Sequence, residues 1–501
     1  MFRVAIMFFL VSLVPYQLRS QILPQEGSKL NYRIIGFSVP VLPDASKYKI
    51  EVAIGDYNSV DSFTKNICCS AVSDSNKIIA EVPSFGSQYT WRIIYENKRK
   101  TIKNSGFYHF TTQMNPHVDT TKLRLSILQP AEAYQDAYVS VDAGGVLYDM
   151  NGQPVWYIPD TNGINGNVLG MKFTAQGTIT FLFKDAYEIN YNGDIVWKAP
   201  NKGIVSGDTV VGEFFHHAFT RLPDGNYMVS GIQLLMCKSI STADTSYLLT
   251  SANKALRDGY HMGKFGTLIE YDEKGNIIWS WKSSNYLIGS DFDYYESRID
   301  SNKRFDPHDN AFFFDQKNKC IYLGFRNLNR IMKIEYPSGK VLAIYGDNFK
   351  PGVHGSGEHL FCNQHSISRS QDGYLYIFNN NSCCLKDSLP AIVMLQEPVS
   401  PTDTFKKIWE YTCTVEGDNT RIFGSGGNAI ELPDRSIFAC MGSEYSKMFI
   451  VNRQKKILWS ALPERLMEPD NKWVPIKQFS ADIISRKDLE KLIWNAETTK
   501  H

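Results

Sequence analysis

The sequence predicts a nearly all-β protein in which a small N-terminal β-sandwich precedes a six-bladed β-propeller. Three observations support this prediction. Short β-rich runs separated by turn residues fill the first part of the chain, a strand–turn–strand unit then recurs six times, and a second hairpin unit recurs out of phase with the first. A repeated antiparallel unit of this kind is typical of propeller blades.

The sandwich is predicted from residues 29–112. Three runs in this region, 48–54, 88–95 and 106–112, alternate apolar and polar residues, and Trp91 lies in the middle of the second run. Alternation with a period of two between regularly spaced turns indicates a small sandwich, and it is similar to a fibronectin-III-like module. We therefore assign residues 21–118 to this domain.

The six-fold unit is a strand, a tight turn rich in Asn, Asp and Gly, and a second strand that ends in an aromatic residue. Its clearest copies are 148–156, 190–197 and 271–279, and weaker copies begin at residues 336, 406 and 452. Six copies predict six blades, so residues 119–480 are assigned to the propeller. Residues 481–501 are assigned to a C-terminal tail, where 487–494 has the pattern of a short helix; no helix of note is predicted before it.

The second unit is an inner hairpin, whose first strand is expected to line the central channel. Counting back eight residues from its turn glycine leads from Gly225 to His217 and from Gly373 to His365. A third histidine, His308, stands just before another strand. Equivalent positions of different blades converge on one axis, so three imidazoles are expected to face one small volume.

Arg326 ends the strand predicted to pair with the strand after His308. A sulfuryl group in transfer resembles a phosphoryl group: it is nearly planar, with charge on three equatorial oxygens. Cationic donors and an in-line nucleophile suit this chemistry, and neutral imidazole is a nucleophile near neutral pH.

The histidines have two alternative interpretations: structural residues, or a three-histidine site for a metal such as zinc. No carboxylate pattern accompanies the histidines, so we predict neither a metal nor a cofactor.

The first twenty residues predict export. A short basic start is followed by eleven apolar residues, 4–14, which is too short to span a bilayer. Residues 1–20 are therefore predicted to be a signal peptide, with an uncleaved anchor as the alternative, and the mature protein is expected to be periplasmic or secreted with no membrane span.

The net charge of the chain is close to zero, because Lys and Arg (53) balance Asp and Glu (52). This balance argues against a nucleic-acid partner.

Three parts of the chain resemble the signature blocks of the bacterial arylsulfate sulfotransferases. They are residues 215–226, residues 306–310 together with Arg326, and residues 363–367 together with 378–380. Members of this family are periplasmic six-bladed propellers with an N-terminal β-sandwich, and they act without the nucleotide sulfate donor. The resemblance implies an aryl sulfate donor, a phenolic acceptor and a ping-pong reaction through a sulfohistidine. It is compatible with a homodimer.

The resemblance also implies roles for the catalytic residues. His365 is the nucleophile that becomes transiently sulfated. His217, His308 and Arg326 bind the sulfuryl oxygens, and one imidazole protonates the leaving phenolate and deprotonates the acceptor.

Two further residues are expected to bind substrate. Asn310 fills the family's His-x-Asn position and orients a ligand or an imidazole, and His216 is a rival to His217. The chain departs from the family at Ala218 and Ser366, where the family commonly has Asp.

Other function classes stay open at this point. One is a non-catalytic propeller that binds sulfated or phenolic ligands, and another is a hydrolase with water as the acceptor. A nucleotide-dependent sulfotransferase needs a P-loop, and the nearest match, residues 259–265, is one residue short and lacks Ser or Thr. A quinone-cofactor dehydrogenase needs a cage of carboxylates around Ca²⁺, and the sequence shows no such pattern.

Two inserts, 233–265 and 282–305, are expected to form the rim of the channel and to set the substrate specificity.

Overall fold

The computed structural model describes residues 22–97, 102–160, 163–164, 168–205, 212–241, 244–250, 261–287, 289–298, 305–347, 357–382, 389–400, 403–415, 424–443 and 446–498. The predicted signal peptide lies outside them. The chain divides into two compact units, Met1–Gln113 and Met114–His501. Both are nearly all-β, which confirms the predicted fold class at this level. Within the described residues, no helix is long and apolar enough to cross a membrane.

The described residues of the first unit form eight strands and one short helix. Its elements are β1 (Ser28–Leu30), β2 (Ile34–Ser38), β3 (Ala45–Ile54), α1 (Val60–Lys65), β4 (Ile67–Ser73), β5 (Lys77–Glu81), β6 (Gln88–Asn97), β7 (Ile102–Asn104) and β8 (Tyr108–Thr112). Strands β1, β8, β6, β3 and β4 pair in that order, β7 adds to β6, and β2 pairs with β5. The ring of Trp91 in β6 lies 5.0 Å from that of Phe37 in β2, so the two sheets share an aromatic core.

In the second unit, the part of the chain that the structure describes forms six antiparallel sheets, which we number I to VI. Sheet I holds β10 (Tyr138–Val141), β11 (Val146–Asp149), β12 (Pro154–Tyr157) and β35 (Ile483–Ile484). Sheet II holds β13 (Leu169–Phe173), β14 (Ile179–Phe183), β15 (Asp185–Ile189) and β16 (Ile195–Lys198). Sheet III holds β17 (Gly212–Arg221), β18 (Tyr227–Ser241), β19 (Asp244–Thr250), β20 (His261–Tyr271) and β21 (Ile277–Lys282).

Sheets IV to VI repeat the same up-and-down order. Sheet IV holds β22 (Asp309–Asp315), β23 (Cys320–Phe325), β24 (Arg330–Glu335) and β25 (Val341–Gly346). Sheet V holds β26 (His365–Arg369), β27 (Leu375–Asn379), β28 (Ala391–Gln396) and β29 (Lys406–Thr412). Sheet VI holds β30 (Asn428–Glu431), β31 (Ile437–Cys440), β32 (Met448–Val451), β33 (Ile457–Met467), β34 (Lys472–Pro475) and, paired with β33, β9 (Leu123–Gln129).

The two sequence repeats occupy constant places in these sheets. Turns of the first repeat join β15 to β16 at Gly193 and β20 to β21 at Gly275, both with positive φ (87° and 85°). Turns of the second repeat join β17 to β18 at Gly225 and β26 to β27 at Gly373. Glycine meets the requirement of such turns for a left-handed residue.

Tryptophans at the ends of these hairpins join neighbouring sheets. Nε1 of Trp156 in sheet I donates to the carbonyl of Tyr191 in the turn of sheet II, at 2.8 Å. Equivalent bonds run from sheet III to IV and from sheet V to VI. Nε1 of Trp459 in sheet VI donates to the carbonyl of Met150 in the turn of sheet I, at 3.0 Å. The last sheet is therefore hydrogen-bonded to the first.

Both ends of the second unit add strands to these two sheets. β9 pairs with β33 in sheet VI, and β35 pairs with β10 in sheet I. The segment expected to be a tail thus supplies a strand, because its backbone completes the free edge of β10. It continues into α3 (Arg486–Thr498), which confirms the predicted short helix.

The two inserts differ from simple loops. The insert at 233–265 lengthens β18 and β20 and forms β19. The insert at 282–305 contains α2 (Gly289–Arg298), so the expectation of no earlier helix was wrong. Asp291 on α2 is buried and pairs with Arg330 at 2.8 Å, which anchors the helix to sheet IV. Among the described residues of the unit there are also short 3-10 turns at Thr120–Lys122, Ser283–Asn285 and Arg326–Leu328.

Candidate active site

The first strands of sheets III, IV and V carry or adjoin the predicted histidines. The pairing register shifts in each of β17, β22 and β26 close to these residues. Such a bulge inserts an extra residue and re-aims the side chains beside it. His217, His308 and Ser366 have left-handed backbones, with φ of 54°, 58° and 57°. Left-handed non-glycine residues are uncommon and cluster at functional sites, so the strained bulges mark this region.

Two of the imidazoles contact each other directly. Nε2 of His217 lies 2.9 Å from Nε2 of His308, so one of these nitrogens donates a proton and the other accepts it. Nδ1 of His308 lies 3.5 Å from Oδ1 of Asp306, and Nζ of Lys264 lies 2.9 Å from Oδ2. Burial opposes ionisation of Asp306, but His308 and Lys264 together lower its pKa to about 2. The ionised carboxylate of Asp306 therefore lies beside the His217–His308 pair, on the His308 side.

His216 completes a group of three imidazoles. Its ring centroid lies 3.6 Å from that of His217 and 5.1 Å from that of His308. Burial, followed by the charge of His308, lowers the pKa of His216 to about 4. Burial, followed by the two neighbouring histidines, also lowers the pKa of His217. Both rings are therefore neutral near pH 7.

The three rings also offer a geometry that a metal ion could use, since one nitrogen of each lies within 4.8 Å of the others. Two nitrogens at about 2.0–2.1 Å from a tetrahedral zinc ion are separated by roughly 3.3 Å. The 2.9 Å between His217 and His308 is instead a hydrogen-bond distance. The pair fits a shared proton better than two ligands of one ion.

His365 is held as a neutral imidazole with a defined tautomer. It is 1% exposed, and its Nδ1 lies 2.7 Å from Oδ1 of Asn380. Nδ2 of Asn380 donates to the carbonyl of Gly426 at 3.0 Å, so Oδ1 is the atom that faces the ring. The proton is therefore on Nδ1, and Nε2 keeps its lone pair. Burial lowers the pKa of His365 to about 3, helped by Arg326 and His308 and opposed by Asn380.

Arg326 directs a partly engaged guanidinium toward this group. Nε and Nη2 both donate to the carbonyl of Gly424, Nε at 3.1 Å, and Nη1 donates to Oδ1 of Asn327 at 2.7 Å. One N–H on each terminal nitrogen is left for a ligand. Burial is the main cause of the lowered pKa of both His217 and His365, and the nearby charge of Arg326 adds to it at each ring.

Asn310 lies near the site, and within the described residues its side chain bonds to the backbone rather than to an imidazole. Its Nδ2 donates to the carbonyl of Gln364 at 2.7 Å, which holds the residue before His365. Its Oδ1 is buried and has no hydrogen-bond partner among the residues that the structure describes. Asn310 therefore positions the backbone next to His365.

Phe479 is a site residue that the sequence analysis missed. Its ring stacks on that of His217, with centroids 5.0 Å apart and planes 6° apart, and meets the ring of His365 edge-on at 6.0 Å. It therefore lies against both histidines. Phe479 belongs to no repeat and no motif, so the sequence contained no signal for it.

The glycine-rich run at 424–427 was also missed, although its Gly-Ser-Gly-Gly pattern is a local signal. Its first carbonyl accepts from Arg326, its third from Asn380, and its last N–H donates to the carbonyl of Phe479 at 2.8 Å. At Gly426, whose φ is 70°, an added Cβ would lie 2.5 Å from that same carbonyl. The run therefore holds three site residues through its backbone and requires glycine to do so.

Two cavities meet at His217 and Phe479. The larger, of about 560 Å³, also contacts His216. The smaller, of about 400 Å³, is lined mainly by the first strands of the sheets and contacts Asn310. His217 and Phe479 therefore line both of the spaces in which a substrate could bind.

Residues 110–391 match the model of a family described as "Arylsulfotransferase (ASST)". No curated protein shows a significant match to the chain. Among solved structures, the chain is similar to a protein of unknown function from Bacteroides caccae, with 14% identity over 65% of this chain and 93% of that one and a TM-score of 0.38. A putative 6-phosphogluconolactonase from Bacteroides fragilis shows 11% identity over 88% and 98%, with a TM-score of 0.30.

Proposed function

The chain belongs to the arylsulfotransferase family, and on this basis we propose that it moves a sulfuryl group from an aryl sulfate ester to a phenolic acceptor, without a nucleotide donor. His365 carries the group between two half-reactions as a sulfohistidine. The observation that most supports this role is the bond between Nδ1 of His365 and Oδ1 of Asn380, which leaves the lone pair on Nε2. Neutral imidazole with a directed lone pair is the form that attacks.

In the first half-reaction, Nε2 of His365 attacks the sulfur of the donor in line with the departing aryl oxygen. The lone pair forms the N–S bond, and the electrons of the S–O bond leave with the aryl oxygen. The His217–His308 pair supplies the proton that turns this oxygen into a phenol, and the carboxylate of Asp306 supports the proton on His308 beforehand. The remaining N–H groups of Arg326 bind the equatorial oxygens.

In the second half-reaction the acceptor phenol takes the place of the first product. Its hydroxyl proton passes to the His217–His308 pair, and its oxygen attacks the sulfur. The N–S bond breaks, and its electrons return to Nε2 of His365 as a lone pair. The proton given in the first step is thereby recovered in the second, so the site ends as it began.

The same proposal extends to the architecture. We propose that sheets I to VI are the six blades of a propeller and that the first unit is a β-sandwich. Support comes from the up-and-down order of each sheet and from the link between Trp459 and Met150, which joins the last sheet to the first. β35 belongs to sheet I, so the proposed propeller includes residues after 480.

Export is proposed from the leader alone. The apolar run at 4–14 directs the chain out of the cytoplasm, so the enzyme acts as a periplasmic or secreted protein. The homodimer with which the family resemblance is compatible stays a prediction.

The proposed reaction is tested with the purified protein, para-nitrophenyl sulfate and no nucleotide. We expect nitrophenol release that depends on added phenol, with phenyl sulfate as the second product, and loss of release in His365→Ala. Release without phenol would identify a hydrolase with water as the acceptor. Binding of aryl sulfates without turnover would identify a binding propeller.

A further inference from the structure

The larger of the two cavities is suited to an aromatic ring. Phe183, Phe215 and Phe479 line it together with His216 and His217. Its volume of about 560 Å³ falls within the range of about 300–1,000 Å³ that small-molecule sites occupy. Aromatic side chains pack well against a flat ring, so the cavity can hold the aryl part of a substrate beside the histidines.

Two lysines line the same cavity. Lys184 lies at the tip of the hairpin between β14 and β15, with φ of 60°, and its Nζ is 5.5 Å from the ring centroid of Phe183. Lys477 comes from the segment just before Phe479. Neither lysine has a carboxylate within ion-pair distance in the described parts of the chain.

The acidic residues of the cavity do not offset these charges, because both have other partners. The carboxylate of Asp142 accepts the backbone N–H groups of Gly170 and Met171, each at 2.9 Å, and burial raises its pKa to about 7. Asp185 pairs with Lys198 at 3.0 Å. The cavity therefore presents positive charge that no carboxylate of the described chain neutralises.

We infer that this cavity binds aryl substrates that carry an anionic group in addition to the transferred sulfuryl, and that Lys184 and Lys477 bind that group. The group is a ring carboxylate or a ring sulfonate or sulfate, which share the same charge and acceptor oxygens. This inference rests on the proposed function and names the substrate class within it. Arg326 and His365, which act on the transferred group, do not line this cavity, so the two anions are recognised separately.

The size of the effect follows from the exposure of the lysines. Both side chains are exposed, and exposed ion pairs contribute modestly, so each lysine is expected to change kcat/KM by about twofold to fivefold. The effect should decline with added salt, because salt screens exposed charges.

The test compares acceptors that differ in charge and little in shape. The donor is para-nitrophenyl sulfate, and the acceptors are para-hydroxybenzoate, its neutral analogue para-hydroxybenzamide, and para-hydroxybenzenesulfonate. Each is measured with wild type, Lys184→Gln, Lys477→Gln and the double variant. Lys319→Gln is the matched control, since Lys319 is also exposed and left-handed, with φ of 49°, at the turn before β23.

We expect the ratio of kcat/KM for an anionic acceptor to that for the amide to fall about twofold to fivefold in each single variant, and further in the double variant. Lys319→Gln should leave it unchanged. Comparing each variant with wild type cancels the intrinsic reactivity of the acceptors. A loss confined to the benzoate or to the sulfonate identifies which anion the lysines bind.

A ratio that the double variant does not change overturns the inference, and transfer to the amide in the same assay shows that the proposed function stands. Absence of transfer to every acceptor, phenol included, overturns the proposed function and this inference with it. A fall in the amide rate equal to that of the anionic acceptors also contradicts the inference, because it indicates damage to the site rather than loss of charge recognition.

Discussion

Nε2 of His217 lies 2.9 Å from Nε2 of His308, and the other ring nitrogen of His308 faces the carboxylate of Asp306 at 3.5 Å. The pair can therefore hold a proton at the contact between the two rings. His365 acts in the opposite way, because burial lowers its pKa to about 3 and keeps the ring neutral. One region thus holds an imidazole pair that can share a proton and a buried neutral imidazole, which is the division that the proposed roles of acid and nucleophile require.

The first prediction concerns the proton carrier. His308→Gln removes the proton that the leaving phenolate takes up, so turnover of phenyl sulfate should fall by about 10²–10⁴-fold. Para-nitrophenyl sulfate has a far better leaving group and should lose less than about tenfold. The measurement is kcat/KM for a series of donors whose leaving phenols differ in pKa. The dependence of kcat/KM on that pKa should be steeper in the variant than in the wild type.

His359→Gln is the matched control for that series, because the side chain of His359 is 88% exposed. It should leave the dependence on the leaving group unchanged. An equal loss with both donors in His308→Gln would contradict the assigned role in proton transfer.

The second prediction concerns Asn380, a positioning residue that acts through His365. Asn380→Asp places a carboxylate beside Nδ1, and an opposite charge at this distance favours the imidazolium and raises the pKa of His365. His365 is neutral at pH 5 in the wild type, since its pKa of about 3 lies below that pH. In the variant a larger fraction is protonated, so the rate at about pH 5 relative to about pH 8 should fall by about twofold to tenfold.

The measurement for Asn380→Asp is the pH profile of the first half-reaction. Asn151→Asp adds the same charge in an exposed turn of sheet I and should leave the profile as it is. A uniform loss at every pH in Asn380→Asp would indicate a structural role only.

The third prediction concerns Arg326. Lysine keeps the charge but lacks the planar guanidinium with its several N–H donors. The Arg326→Lys side chain therefore cannot donate to the carbonyl of Gly424 and to two sulfuryl oxygens at the same time. We expect kcat to fall by about 10²-fold or more, as when a donor to a developing charge is removed. Arg435→Lys, at an exposed turn, is the control. Full activity in Arg326→Lys would show that charge alone suffices.

The hairpins of the second unit could be predicted from the sequence because their causes are local. A left-handed turn residue such as Gly193 or Gly275 and an apolar alternation on either side are visible within about ten residues. α2 could not be predicted, since its segment is rich in aromatic residues. Phe292 and Tyr295 on its buried face and the pair between Asp291 and Arg330 favour the helix through tertiary contacts.

His217 and His365 could be nominated because they recur at a constant distance from a turn, but their surroundings could not be predicted. Phe479 reaches His217 from a segment more than two hundred positions away and follows no repeat. The tautomer of His365 depends on the orientation of Asn380, which depends in turn on the carbonyl of Gly426. Such chains of contact arise only when distant segments are packed together.

The fourth prediction concerns the link between the last sheet and the first. Trp459→Phe keeps most of the ring volume but leaves the carbonyl of Met150 without its donor in a buried place, which should lower the free energy of unfolding by about 1–3 kcal/mol. Trp279→Phe removes an equivalent bond in an exposed setting, where water can replace the donor, and should cost less. The measurement is urea unfolding of both variants. Equal losses would argue against a special contribution of the bond between sheets VI and I.

The central claim, that His365 carries the sulfuryl group, is tested most directly by trapping the intermediate. The protein is mixed with para-nitrophenyl sulfate in the absence of acceptor, quenched in alkali and digested, and the mass of the peptide that contains His365 is measured. We predict the gain of one SO₃ group on this peptide, its loss when phenol is added before the quench, and no gain in His365→Ala. Transfer activity with the peptide unmodified, or a modification on His216, His217 or His308 instead, would contradict the account.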